Sequence, residues 1–306
     1  MIRYRERKGM NLADVLEKQY FLQQTRVSDE KTRIHYRRAV RRLGEMLGRA
    51  PLIGDLTDEH LAGLMQWEQM RRGVSPETAN HSRKCLAALW RWCRDKDLIR
   101  GGPTVRPLKV PKRRPKALTE DELHRLVAAA DRMPGTIGGL PARVWWLTLL
   151  QIEMDAGIRA GELLSLRWEW LDWETGYVHV PAEVRKGKSE DASYWLPPDT
   201  RQWLAPLRRP HGLILGFDRH VSRYYQLWDD LLEAAGLPPG RRQKTHALRR
   251  TFATALKKEG GDVTAALGHA DEATARRYYL DPSASPTRHA ELIPEAMRPL
   301  RIAGVG

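Results

Sequence analysis

The feature that most limits how this chain can fold is a run of evenly spaced prolines. Residues 101–116 contain four of them, at positions 103, 107, 111 and 115. Proline has no backbone N–H and restricts the residue before it, so this spacing excludes both a helix and a paired strand. A chain of 306 residues is also longer than most single cores, which stop growing near about 250–300 residues. The prolines therefore predict an extended linker, residues 101–116, between two domains.

The linker is basic, and it ends a region that holds the whole charge excess of the chain. Residues 1–116 contain 27 Lys and Arg against 13 Asp and Glu, whereas residues 117–306 contain 25 of each. A surface that serves only solubility would not require this confinement, but a surface that binds a polyanion would. We therefore expect the region to bind nucleic acid, with these linker residues among the contacts: Lys109, Lys112, Arg113, Arg114 and Lys116.

Apolar residues at helical spacing predict a helical domain over residues 1–100. Its helices are expected to begin near residues 11, 28–31, 57 and 75, where Ser75 precedes Pro76 at the first helical position. The helix over residues 31–47 carries five arginines. A basic helix face is often only solvated, but this density favours contact with the DNA backbone. The predicted contacts are Arg33, Arg37, Arg38, Arg41 and Arg42.

Residues 117–282 predict a second, mostly helical domain. A helix over residues 143–156 is apolar nearly all round and is expected at the centre. Two short strands, at residues 177–180 and 194–196, flank the charged tip Arg185-Lys186-Gly187-Lys188. Further helices are expected over residues 160–168, 221–235, 246–257 and 273–280. The expected fold class is mainly α with a small β-hairpin, and residues 283–306 form a C-terminal tail.

Cysteine usage and hydropathy indicate the kind of compartment. Cys85 and Cys93 fall in one predicted helix, so they supply no disulfide framework and are expected to be small buried apolar side chains. No Cys/His spacing is typical of a metal site. No apolar run reaches transmembrane length, and residues 1–10 do not resemble a signal peptide. We therefore expect a cytoplasmic protein without a bound metal.

The second domain contains six side chains that suit phosphodiester chemistry: Arg159, Lys186, His246, Arg249, His269 and Tyr278. Cleaving a phosphodiester requires stabilising a five-coordinate phosphorus whose equatorial oxygens carry negative charge. Arginine suits this task because its planar fork donates two parallel hydrogen bonds and stays charged. Taken singly, each residue would more often be structural, and Arg159 has an ordinary salt-bridge partner in Glu162.

Three ordered motifs resemble those of the tyrosine recombinase (phage integrase) family. Residues 157–168, Gly-Ile-Arg-Ala-Gly-Glu-Leu-Leu-Ser-Leu-Arg-Trp, are similar to its first-arginine motif. Residues 245–254, Thr-His-Ala-Leu-Arg-Arg-Thr-Phe-Ala-Thr, are similar to its His-x-x-Arg motif. Leu267-Gly268-His269, followed nine residues later by Tyr278, is similar to its histidine and nucleophile spacing. The resemblance covers nearly the whole chain and implies a SAM-like core-binding domain followed by a catalytic domain of the DNA breaking-rejoining fold.

The resemblance implies which residues cut the DNA strand. Tyr278 attacks the scissile phosphate and forms a 3′-phosphotyrosyl bond, which releases a 5′-hydroxyl. Arg159 and Arg249 hold the non-bridging oxygens, with His269 assisting. Because the covalent bond conserves the phosphodiester energy, no ATP or other cofactor is implied, and the arginines take the place of a metal.

The resemblance also implies roles in proton transfer and orientation. Lys186 reaches from the hairpin tip and protonates the leaving 5′ oxygen, a role suited to a lysine with a lowered pKa. His246 assists proton transfer or orients the phosphate, and Glu162 orients the site without touching the DNA. Lys188 is an alternative to Lys186, because hairpin registers are hard to read from sequence.

Two further points stay open in the sequence. Tyr279 directly follows Tyr278, and adjacent helical residues point about 100° apart, so only one of them reaches the phosphate. The spacing from His269 favours Tyr278. The stretch from Gly260 to Leu267 looks about one helical turn shorter than is usual in the family, which affects the local geometry around His269.

The expected activity is site-specific recombination by a homotetramer on two double-stranded DNA sites. A type IB topoisomerase-like enzyme that acts alone is an alternative with the same chemistry. A non-catalytic DNA-binding regulator with the same fold is an alternative from another class. For the tail, residues 283–306, docking on a neighbouring subunit and a disordered end are both consistent with the sequence.

Overall fold

The computed structural model describes residues 9–27, 29–111, 117–185, 190–238, 246–260, 266 and 293–304. The chain divides into two compact units, Met1–Arg113 and Arg114–Gly306. Each unit has its own cluster of buried apolar side chains.

The described part of the first unit is helical. Helix α1 begins with Leu12–Val15, passes through a π-helical segment, Leu16–Tyr20, and ends with Phe21–Gln23. The next three helices are α2 (Glu30–Leu47), α3 (Asp58–Arg72) and α4 (Pro76–Asp95). Side chains that accept hydrogen bonds from the first helical turn define the starts of all four: Asn11, Asp29, Thr57 and Ser75. Left-handed glycines, Gly48 and Gly73, end α2 and α3.

Helix α4 forms the centre of the first core, with α2 and α3 packed against it. The fully buried side chains include Leu43 from α2, Leu64 from α3 and Leu86 from α4. Cys85 and Cys93 are free and buried in this core. Burial raises the pKa of Cys85 to about 11 and that of Cys93 to about 12, so both remain protonated thiols at neutral pH.

The structure corrects the prediction that Arg42 contacts DNA. Its side chain is only 10% exposed, and Nη1 lies 2.6 Å from Oε1 of Glu68, which is fully buried. Arg42 Nη1 also lies 3.3 Å from the hydroxyl oxygen of Ser82. Arg42 therefore joins α2 to α3 and α4 inside the unit instead of facing solvent.

The first part of the predicted linker is attached to α4. Asn80 Nδ2 donates to the carbonyl oxygen of Leu108 at 2.9 Å, and Asn80 Oδ1 accepts from the Leu108 N–H at 2.8 Å. Arg83 Nε donates to the carbonyl oxygen of Val105 at 2.7 Å. Because the prolines prevent this segment from pairing as a strand, its carbonyl groups need other hydrogen-bond donors. Side chains of α4 supply donors for two of these carbonyl groups.

The second unit is mainly helical with two small antiparallel hairpins, in agreement with the predicted fold class. Its helices are α5 (Glu120–Asp131), α6 (Ala142–Ala156), α7 (Ala160–Leu164), α8 (Pro198–Leu204), α9 (Val221–Ala234), α10 (His246–Lys258) and α11 (Pro299–Ile302). Its strands are β1 (Thr136–Ile137), β2 (Leu140–Pro141), β3 (Tyr177–Val180) and β4 (Ala192–Trp195). Strands β3 and β4 pair antiparallel, with Val178 opposite Tyr194.

Helix α6 is the centre of the second unit, as predicted from its apolar sequence. Thirteen of its fifteen residues are buried. Trp145 and Trp146 are fully buried and pack near Tyr224 and Trp228 of α9, with ring centroids 5.9–6.4 Å apart in the pairs formed across the two helices. Helices α5 and α10 also pack against α6.

One local prediction for this unit was wrong, and one element was missed. The helix expected over residues 160–168 ends at Leu164, because the following backbone pairs with a distant segment: Ile214 N–H donates to the Leu166 carbonyl oxygen at 2.8 Å. The hairpin formed by β1 and β2 was not predicted. Its turn uses Gly138 and Gly139 at φ 59° and 78°, and a Cβ on Gly138 would lie 2.2 Å from the carbonyl oxygen of Leu215.

Residues 293–304 pack on their own unit. Ile293 and Leu300 are buried. The Leu300 N–H donates to Oε1 of Gln151 in α6 at 3.1 Å, and His124 Nε2 lies 3.1 Å from the carbonyl oxygen of Ala296. The docking of the tail on a neighbouring subunit stays a prediction, and residues 283–292 lie outside the described residues.

Candidate active site

The candidate active site lies where the central helix α6 ends. Gly157 adopts a left-handed conformation with φ 55°, and its N–H donates to the carbonyl oxygen of Glu153 at 2.8 Å. Two residues later, Arg159 occupies the N-cap position of α7. The chain therefore turns between α6 and α7, and this turn fixes the backbone position from which the Arg159 side chain extends.

Arg249 reaches the same turn from α10. It is 6% exposed, and its Nη1 donates to the carbonyl oxygen of Gly157. Burial, followed by the positive charge of Arg159, lowers the pKa of Arg249. Two guanidinium groups that act on each other in this way repel, and a bound anion would relieve that repulsion. The pair is therefore suited to hold a phosphate group.

Glu162 is the carboxylate of the site. Its side chain is 2% exposed, and Oε1 lies 3.1 Å from Arg159 Nη1. The Tyr194 hydroxyl of β4 donates to Oε2 at 2.8 Å. Burial, the charge of Glu162 and this hydrogen bond raise the pKa of Tyr194 to about 12. Both oxygens are thus occupied, and Glu162 connects the Arg159 turn to the β3–β4 hairpin.

Arg185 is a residue of the site that was not predicted from sequence. Its Nε lies 3.9 Å from Oε1 of Glu162, and its side chain is only 12% exposed. Its Nη1 donates to the carbonyl oxygens of Glu190 and Asp191, at 2.6 Å and 3.1 Å. Arg185 therefore joins the two arms of the hairpin beside Glu162. Its place next to Lys186 in the basic tip was the available signal.

The structure thus brings together three of the predicted site residues: Arg159, Glu162 and Arg249. His246 begins α10, one turn before Arg249, and its side chain is not among the described groups. The remaining predicted site residues lie outside the described residues: Lys186, His269 and Tyr278, with the alternatives Lys188 and Tyr279.

The arginines of α2 differ in how much of their charge is available to DNA. Arg38 and Arg41 are exposed, although Arg41 Nε lies 3.3 Å from Glu45. Arg37 is bound by two carboxylates: Glu17, at 2.6 Å, and Glu30. Arg33 donates to the carbonyl oxygens of Val27, at 2.9 Å, and Phe21, at 3.4 Å. The exposed pair is therefore the part of α2 best placed for phosphate contacts.

The predicted linker contacts are only partly described. Lys109 is exposed. The other four lie outside the described residues: Lys112, Arg113, Arg114 and Lys116.

The described parts of the chain show neither a candidate metal-binding cluster nor a candidate membrane span. No group of three or more His, Cys, Asp or Glu side chains there could hold a metal ion. No helix there is long and apolar enough to cross a membrane.

Sequence comparisons relate the chain to known proteins. The family model described as "Phage integrase family" matches residues 116–206. The tyrosine recombinase XerD of Caulobacter vibrioides is 30% identical over 231 residues, which cover 68% of this chain and 72% of that protein. The tyrosine recombinase XerC of Erythrobacter litoralis is 27% identical over 243 residues, which cover 76% of this chain and 78% of that protein.

Solved structures share the fold at lower sequence identity. The Tn1549 transposon integrase, in complex with a circular intermediate DNA, superimposes with a TM-score of 0.69 and 16% identity, covering 89% of this chain and 95% of that chain. A lambda integrase tetramer bound to a Holliday junction gives a TM-score of 0.67 and 20% identity, covering 86% of this chain and 78% of that chain.

Proposed function

Because this chain belongs to the tyrosine recombinase (phage integrase) family, we propose that it breaks and rejoins double-stranded DNA at specific sites. The observation that carries the proposal is the meeting of Arg159 and Arg249 at the end of α6. These arginines are far apart in sequence, and the fold places both beside the buried carboxylate of Glu162. Each guanidinium can donate two hydrogen bonds to a phosphate, so the pair suits a phosphodiester in its transition state.

In the proposed cleavage step, the hydroxyl oxygen of Tyr278 attacks the scissile phosphorus. A phosphorus–oxygen bond to the tyrosine forms, and the bond from phosphorus to the 5′ oxygen of the next nucleotide breaks. Arg159 and Arg249 donate to the non-bridging oxygens, assisted by His269. One preorganised donor of this kind contributes roughly 3–4 kcal/mol in comparable oxyanion sites. Glu162 keeps Arg159 in place through its ion pair.

Two proton transfers accompany this exchange. The phenol of Tyr278 gives its proton to His246, and Lys186 gives a proton to the leaving 5′ oxygen. Rejoining runs in reverse, with a 5′-hydroxyl of the same or another strand attacking the phosphotyrosyl bond. One phosphate ester replaces another in each step, so no ATP is consumed.

The proposed partners are two DNA duplexes and three further copies of this chain. The lambda integrase structure shows a tetramer of that protein on a Holliday junction, and we propose the same stoichiometry here. The basic first unit and the basic residues that follow it would contact the DNA backbone, which contributes affinity without selecting a sequence. Such an enzyme acts where the chromosome is, so we place it in the cytoplasm.

A nicked duplex tests the proposal directly. DNA flanking the gene supplies candidate sites, and a nick beside the scissile phosphate lets a short oligonucleotide diffuse away and trap the covalent intermediate. We expect a protein–DNA adduct on a denaturing gel with the wild type and with Tyr279→Phe, and none with Tyr278→Phe. An adduct that persists in Tyr278→Phe and disappears in Tyr279→Phe would move the nucleophile to Tyr279.

Two further results would favour the alternatives. Relaxation of a supercoiled plasmid without strand exchange between two sites would indicate a topoisomerase-like enzyme. DNA binding without an adduct on any candidate site would indicate a regulator.

A further inference from the structure

A buried glutamate of α6 lies behind the arginine pair. Glu153 is 1% exposed, and neither of its carboxyl oxygens has a hydrogen-bond partner among the described residues. It lies one helical turn before Gly157, whose carbonyl oxygen accepts from Arg249. Arg249 and the backbone carbonyl of Glu153 thus both bind Gly157, and the positive charge of Arg249 lowers the pKa of Glu153 against the effect of burial. An apolar side chain would fill this position at lower cost than a carboxyl group without donors.

Aromatic side chains occupy the face of α6 on which Glu153 lies. Trp146 lies two turns earlier on the same face of α6, and Tyr224 of α9 packs near it, with ring centroids 6.4 Å apart. The Tyr224 hydroxyl is also buried without a partner in the described part of the chain, and burial followed by the charge of Glu153 raises its pKa. Among the described residues, the ionisable groups that act on Glu153 are thus Arg249 from α10 and Tyr224 from α9.

Glu162 shows the contrasting case within the same site. Its two oxygens accept hydrogen bonds from Arg159 and Tyr194. Glu153 has no such donors in the described structure, and burial raises its pKa well above the ordinary value, although Arg249 opposes this shift. The two glutamates on either side of the turn therefore differ in their hydrogen-bond donors: Glu162 has two, and Glu153 has none among the described residues.

We propose that Glu153 is a positioning residue that acts through Arg249, and this inference rests on the proposed recombinase function. As an uncharged acid behind the guanidinium, Glu153 leaves the positive charge of Arg249 available to the scissile phosphate. As a carboxylate it would pair with Arg249 and compete with the phosphate for it. Its protonation state therefore sets how strongly Arg249 holds the DNA.

Single-turnover cleavage at several pH values tests this role. Glu153→Gln keeps the size of the side chain and removes its ionisation, and Glu153→Met is a second uncharged variant of similar size. Adduct formation on the nicked substrate is measured from about pH 6 to about pH 10 for each protein. Titrations of Lys186 and Tyr278 occur in all of them, so they cancel in the ratio of variant rate to wild-type rate.

We expect the Gln variant and the wild type to cleave within about threefold of each other at neutral pH. Their rate ratio should then rise toward about tenfold per pH unit once Glu153 ionises in the wild type. A purely structural role would change the rate by the same factor at every pH. A ratio that does not depend on pH therefore overturns the inference.

Unfolding equilibria give a second readout that does not require cleavage. Below the ordinary glutamate pKa of 4.5, both folded and unfolded states hold the proton; above it, only the folded state does. The stabilising contribution of wild-type Glu153 is thus lost as pH rises toward its folded-state pKa. Relative to Glu153→Gln, the wild-type unfolding constant should increase about tenfold per pH unit in that window.

The combined outcomes separate the two proposals. An unfolding difference that does not depend on pH shows that folded Glu153 is charged, which overturns the inference. A wild-type adduct with a constant rate ratio overturns the inference alone. An absence of adduct with every protein overturns the recombinase function, and the inference with it.

Discussion

Replacing Glu68 by glutamine should destabilise the first unit by about 3 kcal/mol. The substitution leaves Arg42, which is 10% exposed, without its counter-charge at 2.6 Å. Breaking a buried ion pair by removing one partner typically costs about 3–5 kcal/mol. We expect the lower end of that range because the amide oxygen of the introduced glutamine would still accept a hydrogen bond at the position of Oε1. Also, Arg42 Nε and Glu68 Oε2 already have no partner among the described residues.

Hydrogen–deuterium exchange of the full-length chain measures this effect within one unit. A loss of about 3 kcal/mol corresponds to roughly a hundredfold loss of protection in peptides from α2 and α3, since about 1.4 kcal/mol is a factor of ten. Peptides from α6 serve as the internal control and should keep their protection. Glu45→Gln is the matched surface variant, because Glu45 lies 3.0 Å from Arg72 and both side chains are about 40% exposed. It should cost less than about 1 kcal/mol.

A double variant completes the experiment. Arg42→Met combined with Glu68→Leu removes both buried charges, and we expect it to recover most of the lost protection. Equal losses of protection in Glu68→Gln and Glu45→Gln would refute the reasoning, because they would show that burial does not set the strength of the pair.

Three other outcomes follow from the structure. Arg249→Lys keeps the charge but loses the planar fork and the hydrogen bond to Gly157, so adduct formation should fall by about 10²–10³-fold. Tyr194→Phe leaves Oε2 of buried Glu162 without its donor, and thermal unfolding should show a loss of about 1–3 kcal/mol. Arg38 is exposed, so Arg38→Gln should lower the slope of log binding constant against log salt concentration by about one unit. The Arg42→Met/Glu68→Leu variant should leave this slope unchanged, because Arg42 is buried. The reverse result would place Arg42 on the DNA.

Helix starts and the meeting of the two motif arginines could be predicted from sequence. Thr57 and Ser75 are short side chains that accept hydrogen bonds from the first helical turn, so they define the starts of α3 and α4 locally. Arg159 and Arg249 lie in motifs whose order and spacing resemble the family pattern. The helix starts and the two motifs each depend on residues that are close together in the sequence.

Other features depend on contacts between distant residues and could not be predicted in this way. Arg42 looks like its exposed neighbours on α2 until Glu68, 26 residues away, is placed beside it. The helix after Arg159 ends at Leu164 because the following residues pair with the backbone near Ile214. Arg185 belongs to the site because the hairpin formed by β3 and β4 brings its side chain next to Glu162.

The burial of α6 on all sides has a consequence for directed evolution of this enzyme. One helix supplies the aromatic core through Trp146, the support behind Arg249 through Glu153, and the anchor of residues 293–304 through Gln151. A random library across residues 142–156 would therefore combine losses of stability, chemistry and tail attachment in the same clones. Variation aimed at DNA affinity belongs on the exposed face of α2 around Arg38, where a substitution changes what faces the solvent and leaves the interior packing intact.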